Sequence, residues 1–373
     1  MTNTLGSITV VIGLSTITIM LLSYLISANL QPQAYFVQAQ DSTNVSQNDT
    51  SKISIPTTIS KKAQAMLKNM TMNLPPSFVI PAPDDLEGWK KLNQQISSMP
   101  IYGSQLTVDS YEPNVTVTKL GNVNVLDVKP KDWKDNGKVL VYLHGGGYTF
   151  FSAISTLGAA APVANTTGLR VISVDYTLAP LSKWNQTTSE VVSVIEALIK
   201  EKGYSLNDIA MYGDSAGGGL VAGSVLKMRD GGIGIPAAIV LWSPWTDVTR
   251  SGDSYYTLKN ADPLLPSDSM LKMLKNMADA YVNPSDQKNP YASPVYGNFS
   301  KGFPPTLIQG GTKEILLSDF IRLYQAIVQA DIPVKLDIYE GMPHDFQIFL
   351  YNTTESNTSL SKMSKFLREH LGY

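Results

Sequence analysis

From Val115 onward, short runs of β-branched and aliphatic residues alternate with longer stretches in which apolar residues return every three or four positions. The runs predict strands at "VTVTKL" (115), "VNVLDV" (123), "KVLVYL" (138), "RVISVDY" (170), "DIAMYG" (208), "AAIVLW" (237), "PTLIQG" (305) and "VKLDIY" (334). Helices fit between them, clearest over Ser189–Lys200 with Val191, Val194, Ile195 and Leu198, and in the last stretch with Met363, Phe366, Leu367 and Leu371. Strands alternating with helices predict an α/β fold: a mostly parallel sheet with helices on both faces, whose ligands gather at the carboxyl ends of the strands. Before Val115, Leu86, Trp89, Leu92 and Ile96 follow Asp84 and Asp85 at helical spacing, so one more amphipathic helix covers something.

The N-terminus has a different texture. No charged residue or histidine occurs from Met1 to Gln40, and Ile8–Leu30 is mostly aliphatic with Thr and Ser. As a helix it would reach about 34 Å, enough for a hydrocarbon core of about 30 Å. We read residues 1–30 as a membrane anchor, with a cleaved secretory signal as the rival, for which Val37-Gln38-Ala39 offers a small-residue cleavage site. No Lys or Arg directly follows the span, so the remainder is expected outside the cell, anchored or, if cut, secreted. Asn-X-Ser/Thr sequons at Asn44, Asn48, Asn69, Asn114, Asn165, Asn185, Asn298, Asn352 and Asn357 agree with that side. Residues 31–54 are polar and unpatterned, the composition of a linker, and the folded part is expected over 55–373.

Composition narrows the chemistry. A net charge of −2 gives no field for nucleic acid, and the absence of cysteine removes disulfides, thiolate metal sites and a thiol nucleophile. Any nucleophile must carry oxygen or nitrogen. Two glycine-rich turns sit at the predicted carboxyl edge. One is "HGGGY", following "KVLVYL"; by itself it fits a flexible loop tip as well as a backbone that must approach something closely. The other is Gly213-Asp214-Ser215-Ala216-Gly217, a G-x-S-x-G between a strand and the small-residue helix pattern of Leu220–Met228. In that context the turn holds a serine in a strained, exposed position, and the helix after it aims its amides at the same spot.

A serine so placed needs a base, and the chain has three histidines. His144 is fixed beside the glycine triplet and His370 lies on a helix near the chain end, which leaves His344, in the loop after the last strand. A carboxylate between Ser215 and His344 should fix the imidazole tautomer. Glu314 and Asp319 both follow the strand "PTLIQG"; Glu314 is nearer the strand end and preferred, while Asp319 also suits a helix start.

Taken in order, "HGGGY" at 144, "VDYTLAP" at 173, "GDSAGGG" at 213, "SPWTDVT" at 243, "NPYASPVYGNF" at 289, "GGTKEILLSD" at 310 and "GMPHDFQIF" at 341 resemble the hormone-sensitive lipase family of α/β-hydrolases, in particular its GDSAGG branch of carboxylesterases. The resemblance runs from about Asp84 to the C-terminus. It implies an eight-stranded α/β-hydrolase sheet and an N-terminal helical cap over about 55–105, with 253–281 a candidate second part. It implies Ser215 as nucleophile, His344 as general base and then acid, and Glu314 as the acid member, Glu314-Ile315-Leu316 standing where many relatives show Asp-Pro-Leu. It makes the glycine loop an oxyanion hole, amides of Gly146 and Gly147 joining that of Ala216 and Gly145 permitting the turn, with His144 shaping the loop. Neither metal nor cofactor is called for. Relatives usually carry an Arg within the stretch matched by Asp175–Pro180 and an acid where this chain has Leu181, which bears on substrate fit.

The expected activity is hydrolysis of a small-molecule, short-chain carboxylic ester through an acyl-enzyme. Tyr148, Phe150 and Trp184 are candidate pocket liners. A transacylase would share the acyl-enzyme, and a non-catalytic surface binding module would share the fold; turnover in water without an added acceptor separates these from an esterase. Nothing in the chain speaks to its oligomeric state.

Overall fold

The computed structural model describes residues 54–72, 79–98, 105–265 and 267–373; the expected anchor and nearly all of the linker lie outside these. No helix of the described residues is long and apolar enough to cross a membrane. All eight strands form where the apolar runs place them: β1 (Asn114–Leu120), β2 (Val123–Lys129), β3 (Val139–Leu143), β4 (Arg170–Val174), β5 (Ile209–Asp214), β6 (Ala238–Trp242), β7 (Thr306–Gly311) and β8 (Val334–Tyr339). They make one sheet in the order β1-β2-β4-β3-β5-β6-β7-β8. β1 and β2 form an antiparallel hairpin, β2 runs antiparallel to β4, and the remaining pairs are parallel. Gly121 and Asn122 close the hairpin with φ of 54° and 65°, the left-handed pair that a two-residue turn requires.

β3, β5 and β6 are buried at every position, which explains their continuous apolar runs and demands cover on both faces of the sheet. Helices supply it. α1 (Lys61–Met72), α2 (Leu86–Ser97) and α3 (Gln105–Tyr111) precede the sheet; α4 (Leu157–Thr167), α5 (Trp184–Lys200) and α6 (Ser215–Asp230) alternate with its strands. α7 (Ser254–Thr257), α8 (Ser267–Tyr281), α9 (Leu317–Val328), α10 (Phe346–Phe349) and α11 (Thr354–Leu371) complete the chain. α4 packs against α11, and α5 against α6. The glycines of α6 let neighbouring backbone come close: a Cβ on Gly223 would lie 2.2 Å from the Tyr291 carbonyl oxygen, and one on Gly219 2.1 Å from that of Trp245.

The segment before the sheet reaches both loops that carry the glycine triplet and His344. Ile59, Ala63 and Leu67 form a small apolar cluster with Met342, Phe346 and Leu350, and Ser60 donates to Glu355 through its amide (2.6 Å) and hydroxyl (2.8 Å). On α2, Trp89 packs on Phe150 at 5.7 Å and Asn93 Oδ1 accepts the Phe151 amide at 2.7 Å. The second candidate cap region joins in where Asn276 on α8 donates to the Pro81 carbonyl at 2.7 Å. The asparagines of the described sequons, from Asn69 to Asn357, are all exposed, as modification would require and as surface asparagines generally are.

Candidate active site

The turn from β5 into α6 holds Ser215 at φ 52°, a left-handed backbone that costs a non-glycine residue about 1 kcal/mol or more. Small neighbours enforce it. A Cβ on Gly217 would sit 2.0 Å from the Leu143 carbonyl oxygen, and one on Gly213 would sit 2.5 Å from the carbonyl of Gly217. Ser215 thus stands half-exposed at the carboxyl edge of the sheet, with the amide of Ala216 behind it at the helix N-terminus.

His344 comes from the loop between β8 and α10, and its Nε2 lies 2.9 Å from Ser215 Oγ. Its Nδ1 lies 3.1 Å from Glu314 Oε2. Glu314 is fully buried, and its other oxygen accepts from Ser243 Oγ at 2.8 Å and the Gly311 amide at 2.6 Å. Burial pushes the Glu314 carboxyl up to about 8, against the two hydrogen bonds that favour its charge. Burial lowers His344, with Asp262 and Asp214 opposing, so the resting imidazole is neutral. Nδ1–H donated to Glu314 leaves the Nε2 lone pair facing the serine hydroxyl, the arrangement that draws a proton from Oγ.

Of the two carboxylates open in the sequence, the structure brings Glu314 to His344. Asp319 has other work: it accepts from the amides of Thr246 (3.2 Å) and Asp247 (3.0 Å) and from the Tyr255 hydroxyl (2.9 Å). Asp319→Ala strands buried donors, so it is expected to lower stability by about 2–4 kcal/mol while the folded fraction keeps its turnover. Urea melts and active-site-titrated rates would check this; loss of turnover at full stability would contradict it.

The glycine loop is shaped around its backbone. Gly146 and Gly147 take φ of 102° and 60°, and their missing side chains make room for the Phe150 carbonyl at 2.6 Å and Met277 Sδ at 2.3 Å from the Cβ positions. Gly145 gives its own amide to Asp214 Oδ2 at 3.1 Å, so it holds the loop in place and has no N–H left for an oxyanion. His144 is fully buried, stacked on Tyr176 at 4.3 Å and pushed down to about 4 by burial, which keeps it neutral in the loop.

The three aromatics proposed as pocket walls fall differently. Tyr148 is buried, stacked on Tyr281 at 3.7 Å, and Phe150 is buried against Trp89 and Phe151, so both serve as packing under the loop. Trp184 opens α5 half-buried, 6.3 Å from Tyr291.

Four residues near His344 and Ser215 escape a reading by sequence. Ser243, at φ 43°, donates to Glu314 and accepts the Asp345 amide at 3.0 Å. Asp214 joins Tyr142 (2.6 Å) to Gly145. Asp262 accepts the His344 amide at 3.2 Å, and Asp345 Oδ2 lies 3.1 Å from His344 Nε2. Ser243 lies in "SPWTDVT" and Asp214 inside the serine turn, but neither string says which atoms they meet.

A family profile described as alpha/beta hydrolase fold matches residues 140–348, from β3 through His344. An acetyl-hydrolase of Streptomyces hygroscopicus is 31% identical over 260 residues, 70% of this chain and 84% of that protein. An esterase of Acinetobacter venetianus is 29% identical over 254 residues, covering 68% and 82%. Among solved structures, an esterase from the bacterial hormone-sensitive lipase family superposes with a TM-score of 0.70 at 27% identity, over 84% of this chain and 99% of that one.

Proposed function

The chain belongs to the alpha/beta hydrolase fold family, as a serine carboxylesterase of its hormone-sensitive lipase branch, and from that premise we propose that it hydrolyses short-chain esters through Ser215, His344 and Glu314. The observation that carries the reading is the unbroken line of contacts from Ser215 Oγ to His344 Nε2 (2.9 Å) and from Nδ1 to Glu314 (3.1 Å), starting at a serine in the left-handed region. Ser215 Oγ attacks the ester carbonyl as its proton passes to Nε2. The tetrahedral oxyanion accepts from the amides of Gly146, Gly147 and Ala216. Collapse expels the alcohol, which takes the proton from Nε2. Water then repeats the sequence on the acyl-enzyme: its proton goes to Nε2, its oxygen to the acyl carbon, and Ser215 leaves with the proton returned. Glu314 steadies the imidazolium throughout, and Ser243 and Gly311 hold Glu314.

The short-chain preference is supported by a relative named for acetyl hydrolysis and by aromatic packing close beneath the glycine loop. The test is a ladder of p-nitrophenyl esters from acetate to palmitate, assayed with the full-length protein and a Ser215→Ala blank. Turnover should be highest between acetate and butyrate and fall away by palmitate. A maximum at palmitate would overturn the chain-length preference; no ester cleaved above the blank would overturn the mechanism.

A further inference from the structure

Asp345 occupies a place where its side chain does none of the usual structural work. It is the N-cap residue of α10, yet its carboxylate caps no amide there. Its backbone lies in the left-handed region (φ 47°, ψ 39°), where glycine would be cheaper. The carboxyl is about 2% exposed, one of its oxygens has no partner, and the other lies 3.1 Å from Nε2 of His344, at ion-pair distance. That nitrogen is the one hydrogen-bonded to Ser215. A buried carboxyl with an unspent oxygen, held in a costly conformation beside the atom that carries the proton, asks for a chemical role.

We propose that Asp345 is a second acid of the reaction centre, flanking Nε2 as Glu314 holds Nδ1, so that the imidazolium formed in acyl transfer is stabilised at both nitrogens. The inference rests on His344 acting as the base. No additional proton transfer is required: the proton moves from Ser215 to Nε2 and on to the leaving alcohol as before, and Asp345 supplies negative charge beside it. Asp214 on β5, Glu314 after β7 and Asp262 after α7 all face this carboxyl, and with burial they hold it protonated well above the ordinary carboxylate range, against the Ser243 hydrogen bond. Its charge, and so its help, arrives only as pH rises.

The test is the pH profile of p-nitrophenyl acetate hydrolysis by the full-length protein and by Asp345→Asn, Asp345→Gly and Asp262→Asn. The wild type should rise in two steps, the first with deprotonation of His344 and the second with ionisation of Asp345. Both Asp345 variants should lose the second step and about ten-fold of kcat on the alkaline plateau, with KM unchanged. Glu314, pushed up to about 8, also ionises above the ordinary carboxylate range, so the step belongs to the residue whose replacement removes it; Asp262→Asn should keep it. Glycine suits the backbone here, so Asp345→Gly should fold at least as well as the wild type. If Asp345→Gly matches the wild type at every pH, or the wild type itself shows one ascending step, the proposal is wrong. Failure of the wild type to cleave any ester would instead remove the Ser-His-Glu mechanism, and this inference with it.

Discussion

Ser215→Ala is expected to lower kcat for p-nitrophenyl acetate by roughly a million-fold while leaving the thermal midpoint unchanged or slightly raised. On the proposed mechanism alanine removes the atom that forms the acyl-enzyme, and His344 and Glu314 are left with nothing to activate. Stability should hold because Ser215 is half-exposed and its backbone contact, the carbonyl accepting Trp245 N–H at 2.8 Å, survives the change. The left-handed backbone at Ser215 is no kinder to alanine, so the relief comes only from losing a polar group, and it is small. Mass spectrometry of a quenched reaction gives the complementary readout: a mass shift equal to the acyl group on the wild type, none on the variant. An acylated variant would move the nucleophile elsewhere.

The second large effect is at Glu314. Glutamine there preserves volume and can still accept from Ser243 and Gly311, but it carries no charge and cannot enforce the Nδ1–H tautomer, so kcat should fall about ten-thousand-fold. The same change should stabilise the protein as pH rises. The folded-state value of Glu314 is raised from 4.5 to about 8, so the folded chain holds a proton that the unfolded chain gives up. The contribution is complete below 4.5 and is lost as pH climbs to about 8, whereas glutamine stays neutral throughout. The gap in melting temperature between Glu314→Gln and wild type should therefore widen in favour of the variant across that window. Retention of more than a tenth of the activity would show that this carboxylate is not the acid of the triad; a gap that narrows with pH would show that its folded-state value is not raised.

Much of this was written in the order of residues. The eight strands announced themselves because the central ones are buried on both faces and so read as nearly continuous apolar runs, while the β1–β2 hairpin is marked by its turn at Gly121-Asn122. α4 left no such trace: "LGAAAPVANTT" is small and buried almost all round, so it has no polar face to mark its period. Ser215 and His344 were legible because a strained turn needs glycines at fixed offsets and a census of three histidines leaves few choices. The acid stayed open between Glu314 and Asp319, since only four residues of chain separate them and the loop's path decides which carboxylate meets the imidazole. Ser243, Asp262 and Asp345 were hidden for a similar reason. Ser243 and Asp262 act through contacts between distant parts of the chain, set by packing, and although Asp345 adjoins His344, nothing in the string says that its carboxylate turns back to the imidazole.

The carboxylate of Asp214 has a further consequence for how this protein fails when heated. One oxygen takes the hydroxyl of Tyr142 on β3 and the other the amide of Gly145, while the residue itself ends β5 and abuts Ser215. The turn that carries Ser215 and the glycine loop are thereby fastened to two central strands, among the last parts of such a sheet to open. Local fraying cannot separate one from the other and leave a half-assembled centre. Activity and the native sheet should vanish together in one cooperative transition, and cooling through that transition should restore both or neither.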